Sequence, residues 1–426
     1  MSNDKKRWLI LFAGILANLC QGAAYASSVF AKPMLAHLGL LVAGPDGQMV
    51  PDMTKWAMAF SINLACLPIG MLLSGKIADQ RSTKLVVVCG GILFGLGMFL
   101  AGYANSLATL YITFGVMMGL GSGAAYGAIV STAVRWFPDK RGLASGLAVG
   151  ALGFGPAVIA PVAMWLMSIP SDQPTAVLFA FKVLGVAFLA IIALTSLVMT
   201  NPPDGYKPAN FSPATEVKAG GNTGKDVVWT KMLTESRFWL LYILYACGAF
   251  SGLMIISQMS PIAQAKDLAG LTKEAAAGVV SFLAMANAVG RVFWGFVSDK
   301  IGRLMSLILM FLITAVAMFM MPSMAKDQST LIVTVLFIGL CYGGYLGIFP
   351  SLCADAFGGK NMAVNYGLLF SAFSVAAILG PQVGAGINKS QGSYAQAFVI
   401  AAAVALVGGV LAIVMKMGER KSVVAS

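Results

Sequence analysis

The chain has 426 residues, 58% of them hydrophobic and only 10% charged, with a formal net charge of +12. A soluble domain carries about a quarter charged residues, so this composition excludes a soluble globular protein. The surplus of lysine and arginine raises the question of nucleic acid, which the placement of those residues answers below.

Apolar runs of about 20 residues with at most one charge, the length that crosses a hydrocarbon core, recur twelve times. They cover approximately 8–31, 54–75, 85–104, 106–134, 142–168, 174–200, 238–264, 275–298, 304–324, 328–354, 361–388 and 393–415. Lipid cannot satisfy open backbone N–H and C=O groups, so each run is predicted as a helix. The first follows Lys5-Lys6-Arg7 and reads as an uncleaved membrane helix rather than a secretory signal, because so many spans follow it. Cys20, Cys66, Cys89, Cys247, Cys341 and Cys353 all fall inside or at the edge of apolar runs. They show no metal spacing and no outer-loop pair, so no disulfide is expected. Between the sixth and seventh runs, residues 201–236 carry Pro202-Pro203, Gly220-Gly221 and mixed charges. This stretch reads as a cytoplasmic linker that leaves two halves free to rock. It separates an N-terminal six-helix bundle, 1–200, from a C-terminal one, 237–426.

Twelve spans put both termini on one side. That side holds twenty of the 28 lysines and arginines, the other side holds seven, and Arg291 is the one that remains. This asymmetry predicts cytoplasmic termini. The positive charge is therefore a topology signal, and no nucleic-acid partner is expected.

The chain repeats itself at an offset of 220 residues. Gly119, Gly123 and Gly127 map onto Gly339, Gly343 and Gly347; Phe137 and Lys140 map onto Phe357 and Lys360; Gly75 and Asp79 map onto Gly295 and Asp299. Parallel repeats of six spans are the organisation of major facilitator transporters, with a substrate site at mid-membrane. The four-residue glycine spacing also makes smooth stripes on which membrane helices pack closely, and that role alone is sufficient to explain them.

Arg291 lies deep in the eighth run, with apolar residues and glycines on both sides and no acid within a helical turn. A guanidinium at membrane depth is costly, stays protonated and needs a compensating partner. A fixed bridge to Asp355 or Asp267 is one reading. An anion that comes and goes is the other, and it points to a transporter of small carboxylates, because the planar fork of arginine meets a carboxylate through two parallel hydrogen bonds.

Residues 75–84, Gly-Lys-Ile-Ala-Asp-Gln-Arg-Ser-Thr-Lys, resemble the loop signature of the major facilitator superfamily, and 295–303 resemble its second-half counterpart. Gln80 and Thr83 stand where the family usually has arginine. Arg135-Trp136-Phe137 through Gly150 resembles the span-five signature of monocarboxylate transporters and the bacterial oxalate:formate antiporter group. Gly290-Arg291 through Asp299 resembles their span eight, and Gln21 through Phe30 is more like the bacterial group. The resemblance implies an all-α membrane protein of twelve transmembrane helices in two pseudo-symmetric six-helix bundles, the major facilitator fold. It also implies that Arg291 binds the substrate carboxylate. Asn287, one turn before Arg291, sits where animal members carry an aspartate. Phe373 sits where the oxalate antiporter has a lysine. Two cations suit a dianion; one arginine with a phenylalanine suits a single carboxylate on an apolar tail.

Asn287 is a candidate to hold the guanidinium or to contact substrate, against a plain interhelical hydrogen bond. Tyr126, Tyr342, Tyr345 and Tyr25 fall on spans that usually line the cavity in this superfamily, and each needs a partner for its hydroxyl whether or not it meets substrate. Phe373, on span eleven, is a candidate cap over the substrate's alkyl group, against plain core packing, and Leu152, in the glycine-rich span five, is a further candidate for that role. Lys32 and His37 read as solvated or snorkelling side chains. The expected function is proton-coupled symport of small monocarboxylates of the lactate or pyruvate type, with anion exchange of the oxalate:formate type as the alternative. The expected partners are a monocarboxylate anion, a proton and the lipid bilayer, with no cofactor, no metal and no enzymatic activity. The expected setting is the bacterial inner membrane, with the monomer as the working unit.

Overall fold

The structure is a computed structural model that describes residues 3–43, 49–170, 173–203, 205–208 and 226–424. Half of the predicted linker, including Gly220-Gly221, lies outside the described residues. Among the described residues twelve helices are long and apolar enough to cross a membrane. They are α1 (Asn3–Gln21), α2 (Met53–Gln80), α3 (Thr83–Ala101), α4 (Leu107–Trp136), α5 (Arg141–Ser168), α6 (Gln173–Ser196), α7 (Ser236–Gln264), α8 (Lys273–Ile301), α9 (Arg303–Met324), α10 (Gln328–Phe357), α11 (Met362–Gln391) and α12 (Ala395–Val424). The first run was expected to continue to residue 31. Instead α1 gives way to a 3-10 turn at Gly22–Ala24, and a separate short helix spans Ser28–His37. Pro156 has no N–H, which deprives the Leu152 carbonyl of its helical donor. Gly22 packs against that carbonyl, where a Cβ would collide with it. After the short helix comes a hairpin of two strands, Leu41–Ala43 and Met49–Pro51, antiparallel with Val42 opposite Val50.

Side chains close several helix starts, where backbone N–H groups lack partners. Ser82 accepts from the Leu85 N–H at 3.2 Å, Thr272 from Ala275 at 3.3 Å, and Asp327 from Ser329 and Thr330 at 2.9 and 3.1 Å.

The chain divides into two compact units. Unit one comprises Met1–Trp136, Ala151–Tyr206 and Asn361–Gly367; unit two comprises Phe137–Gly150, Lys207–Lys360 and Leu368–Ser426. The first part of α5 therefore belongs with unit two, and the first part of α11 with unit one.

In unit one, α4 lies on α2 through its glycines. A Cβ at Gly119 would meet the Asn63 carbonyl, one at Gly123 the Leu67 carbonyl, and one at Gly127 the Met71 side chain. Asn63 also donates from Nδ2 to the Phe114 carbonyl at 2.8 Å, within a π-helical stretch, Tyr111–Met117, that interrupts α4. In unit two, α10 lies on α8 in the same way: Gly339 faces the Leu283 carbonyl, Gly343 the Asn287 carbonyl and Gly347 the Arg291 carbonyl. Every partner stands 220 residues beyond its counterpart, so the repeat seen in the sequence is a repeat of helix contacts.

Each unit also closes the start of a helix with a carboxylate from the end of another. In unit one Asp79 accepts from the Ala363 and Val364 N–H groups of α11 at 3.0 and 3.1 Å and pairs with Arg135. In unit two Asp299 accepts from Gly142 and Leu143 of α5 at 2.9 and 2.8 Å and pairs with Arg303 at 2.6 Å. An anion is favoured there because the helix N-terminus carries partial positive charge.

Candidate functional site

Arg291 sits midway along α8 and is 4% exposed. Its main chain is clasped by glycines: Gly347 of α10 and Gly146 of α5 both approach its carbonyl so closely that a Cβ on either would collide with it. Small residues here let three helix backbones converge. The guanidinium then makes two hydrogen bonds. Nε donates to Asn287 Oδ1 at 3.3 Å, and Nη1 donates to the Val149 main-chain carbonyl on α5 at 2.9 Å. Among the described residues Arg291 forms no ion pair, and neither its Nη2 nor the Asn287 Nδ2 has a hydrogen-bond partner.

The two acids considered as fixed bridges are engaged elsewhere. Asp355 pairs with Arg141 at 2.6 Å and with Arg303 at 3.0 Å. Asp267 accepts from Ser393 Oγ at 2.7 Å, and its main-chain carbonyl accepts from Lys326 Nζ at 2.9 Å. The Arg291 charge is thus held by neutral acceptors only, a carbonyl and an amide oxygen. An anion adds Coulomb attraction to the same geometry, and hydrogen bonds between ionised partners are about twice as strong as neutral ones.

Five candidates belong to unit two. Arg291 and Asn287 are in direct contact. Tyr342 and Tyr345 follow α10 away from the glycine face that meets α8. The Tyr342 ring lies over Gly252 of α7 and the Tyr345 ring over Gly248, each where a Cβ would intrude. Tyr345 is 1% exposed, with its ring centroid 5.0 Å from that of Phe311 and its hydroxyl 3.4 Å from Thr314 Oγ1. Its side chain is engaged in packing α10 against α7 and α9. Phe373 is 5% exposed and stacks on Phe370 at 5.2 Å, within an aromatic group in which Tyr245 stacks on Phe349 at 4.0 Å. Ser371, its neighbour, donates to the Tyr242 hydroxyl at 3.2 Å.

The other three candidates belong to unit one. The Tyr126 hydroxyl lies 3.4 Å from that of Tyr366. Tyr25 meets Phe60 edge-on at 6.2 Å. Leu152 is buried, with its carbonyl against Gly22.

Sequence reasoning missed two features. One is the Val149 carbonyl, a backbone atom with no residue-type signal. The other is a fully buried polar group in unit one: Gln21 Nε2 donates to Asn18 Oδ1 at 3.1 Å, and Ser122 Oγ donates to Gln21 Oε1 at 3.1 Å. Uncharged polar residues inside an apolar run were the available signal, since such groups at membrane depth need partners.

Comparison with known proteins agrees with this architecture. The family model of the Major Facilitator Superfamily matches residues 11–381 and 270–425. The oxalate:formate antiporter of Oxalobacter formigenes is 30% identical, over 97% of this chain and 93% of its own. Monocarboxylate transporter 13 of Rattus norvegicus is 27% identical, over 82% of this chain and 78% of its own. Among solved structures, that of the E. coli fucose:proton symporter FucP superposes with a TM-score of 0.72 at 14% identity, covering 97% of this chain and 98% of that one. A twelve-helix chain, built on two copies of one helix contact and matched along almost its whole length, belongs to the major facilitator superfamily.

Proposed function

We propose that this transporter carries small monocarboxylates such as lactate or pyruvate with protons, by alternating access, and that Arg291 binds the carboxylate. The observation that carries the reading is a buried guanidinium whose only partners among the described residues are the Asn287 amide and the Val149 carbonyl. A bound monoanion makes a neutral pair with Arg291, which lowers the cost of enclosing both away from water. Asn287 holds the Nε edge of the fork, which orients the remaining N–H groups. Phe373, at a position where the oxalate group has lysine, favours one carboxylate over two. Tyr126, Tyr25, Leu152, Tyr342 and Tyr345 are second-rank candidates, of which Tyr345 has the strongest packing role. The lysine and arginine bias supports cytoplasmic termini; the proposed setting is a bacterial inner membrane, with the monomer as the working unit.

The test is uptake of labelled lactate into proteoliposomes. Accumulation should rise when the outside is acidic and respond little to membrane potential, since one proton with one monoanion carries no net charge. The 30% identity to an oxalate:formate antiporter favours a second reading, carboxylate exchange. Counterflow that ignores the pH gradient would establish exchange in place of symport. Asp267→Asn should leave acid-driven accumulation intact; its loss with downhill exchange spared would make Asp267 the proton site.

A further inference from the structure

The segment Arg141–Gly150 of α5 lies along α8 like a closed zipper. Its first turn is held hard: Asp299 accepts from the Gly142 and Leu143 N–H groups, and Arg141 pairs with Asp355. Ser145 Oγ donates to the Gly347 carbonyl at 2.6 Å. Gly142 abuts the Gly295 backbone, Gly146 the Arg291 carbonyl and Gly150 the Val292 side chain. Toward the far end, Arg291 Nη1 of α8 donates to the Val149 carbonyl at 2.9 Å. Immediately after it, at Ala151, α5 passes from unit two into unit one.

A neutral carbonyl is a weaker acceptor for a guanidinium than a carboxylate is. A carboxylate that grips the fork with both oxygens takes two N–H groups, and Nε is already given to Asn287. Nη1 and Nη2 are the pair that remains. We propose that the Val149 carbonyl is the resting partner of Arg291, and that a carboxylate substrate displaces it and unfastens the end of this α5 segment. The inference rests on the proposed substrate role of Arg291. It makes Val149 a positioning residue through its backbone, and it makes occupancy of the anion site readable by α5.

Cysteine pairs test it in proteoliposomes. A Cβ at Gly150 would lie 3.0 Å from Val292 Cγ2, so Gly150→Cys with Val292→Cys sits within disulfide reach. A Cβ at Gly142 would lie 2.6 Å from Ser298 Oγ, so Gly142→Cys with Ser298→Cys reports the held end. Saturating lactate should slow oxidative cross-linking at 150/292 by about fivefold or more, the lower bound of ordinary site coupling. The slowing at 142/298 should be smaller. In an Arg291→Gln background, which also lacks the guanidinium tie to Val149, the 150/292 pair should cross-link at the slowed rate with or without lactate; Arg291→Lys serves if that variant does not fold. Lactate binding by thermal shift is measured alongside. Equal slowing at both pairs, or none where lactate binds in an Arg291-dependent way, overturns the displacement. Lactate binding that survives Arg291→Gln overturns the proposed function itself.

Discussion

The α2–α4 contact of unit one and the α8–α10 contact of unit two are the same piece of construction carrying different cargo. Three glycines at a spacing of four back three carbonyl or side-chain partners in each, all related by 220 residues. In unit one the partners are Asn63, Leu67 and Met71. In unit two they are Leu283, Asn287 and Arg291. The scaffold is shared because close helix approach in lipid needs small residues whatever else the helix does. The chemistry is not shared: the polar pair that can hold an anion occupies the positions of a leucine and a methionine. The amide that unit one does have, Asn63, lies one turn away from that level and supports the π-helical stretch of α4 instead. Unit two has Leu283 there, and the matching stretch of α10 is ordinary helix.

The capping carboxylates sharpen the same contrast. Among the described residues Asp79 has one basic partner, Arg135, which Asn201 also holds at 3.0 Å. Asp299 shares Arg303 with Asp355, so its loss leaves that arginine paired. Asp79→Asn should therefore cost about 3 kcal/mol of stability, as expected for a broken buried pair. Asp299→Asn should cost about 1–2 kcal/mol, the loss of hydrogen bonds from a charged acceptor. Thermal unfolding of both variants in one detergent gives the order, and the reverse order would show that the two caps are not held as described.

The next effect falls on activity. Arg291→Lys keeps the charge and loses the fork, so lactate uptake should drop about 10–100-fold while the protein still inserts, as expected for 1.5–3 kcal/mol lost from a charged hydrogen-bond pair. Met71→Leu, at the equivalent place in unit one, should leave uptake near normal. Near-normal uptake in Arg291→Lys would remove the carboxylate clamp. Phe373→Lys comes third. A second cation should raise the ability of oxalate to compete with labelled lactate by about tenfold, equivalent to 1.4 kcal/mol. Unchanged competition in a folded, lactate-binding variant would count against the charge-counting argument.

The smallest effect concerns two exposed helix caps. At Asp52 the Thr54 hydroxyl is the main cause, and at Asp327 the Thr330 N–H, that holds the carboxyl below its ordinary value. A depressed pKa contributes stability above the unfolded value, about 3.9, and loses it as pH falls through the folded value. Both caps should therefore persist through the mildly acidic conditions of a pH-gradient assay. The stability margin of the parent over Asp52→Asn and Asp327→Asn should therefore be constant above about pH 4 and shrink as the pH falls below it; a margin that already changes near pH 6 would contradict the assignment.

Much of this was legible along the chain. The twelve spans and the 220-residue repeat follow from local composition, because lipid imposes helices and small residues mark where they touch. Asn287 beside Arg291 followed from one helical turn of separation. The engagement of Asp355 with Arg141 and Arg303 was not legible, nor was the packing role of Tyr345 against Phe311 and Thr314. Those partners lie on other helices, and spacing within one helix says nothing of which neighbour a side chain meets.

By itself the sequence determined what is local and periodic: helix count, repeat, charge asymmetry, and a lone arginine at membrane depth that needed an anion or an acid. Only the tertiary structure showed where the two candidate acids go: it takes Asp355 and Asp267 to other partners and brings a backbone carbonyl, 142 residues away in the chain, to the guanidinium. A carbonyl carries no residue-type signature, and which helices converge depends on packing over the whole chain, so no inspection of residues near Arg291 could have named it.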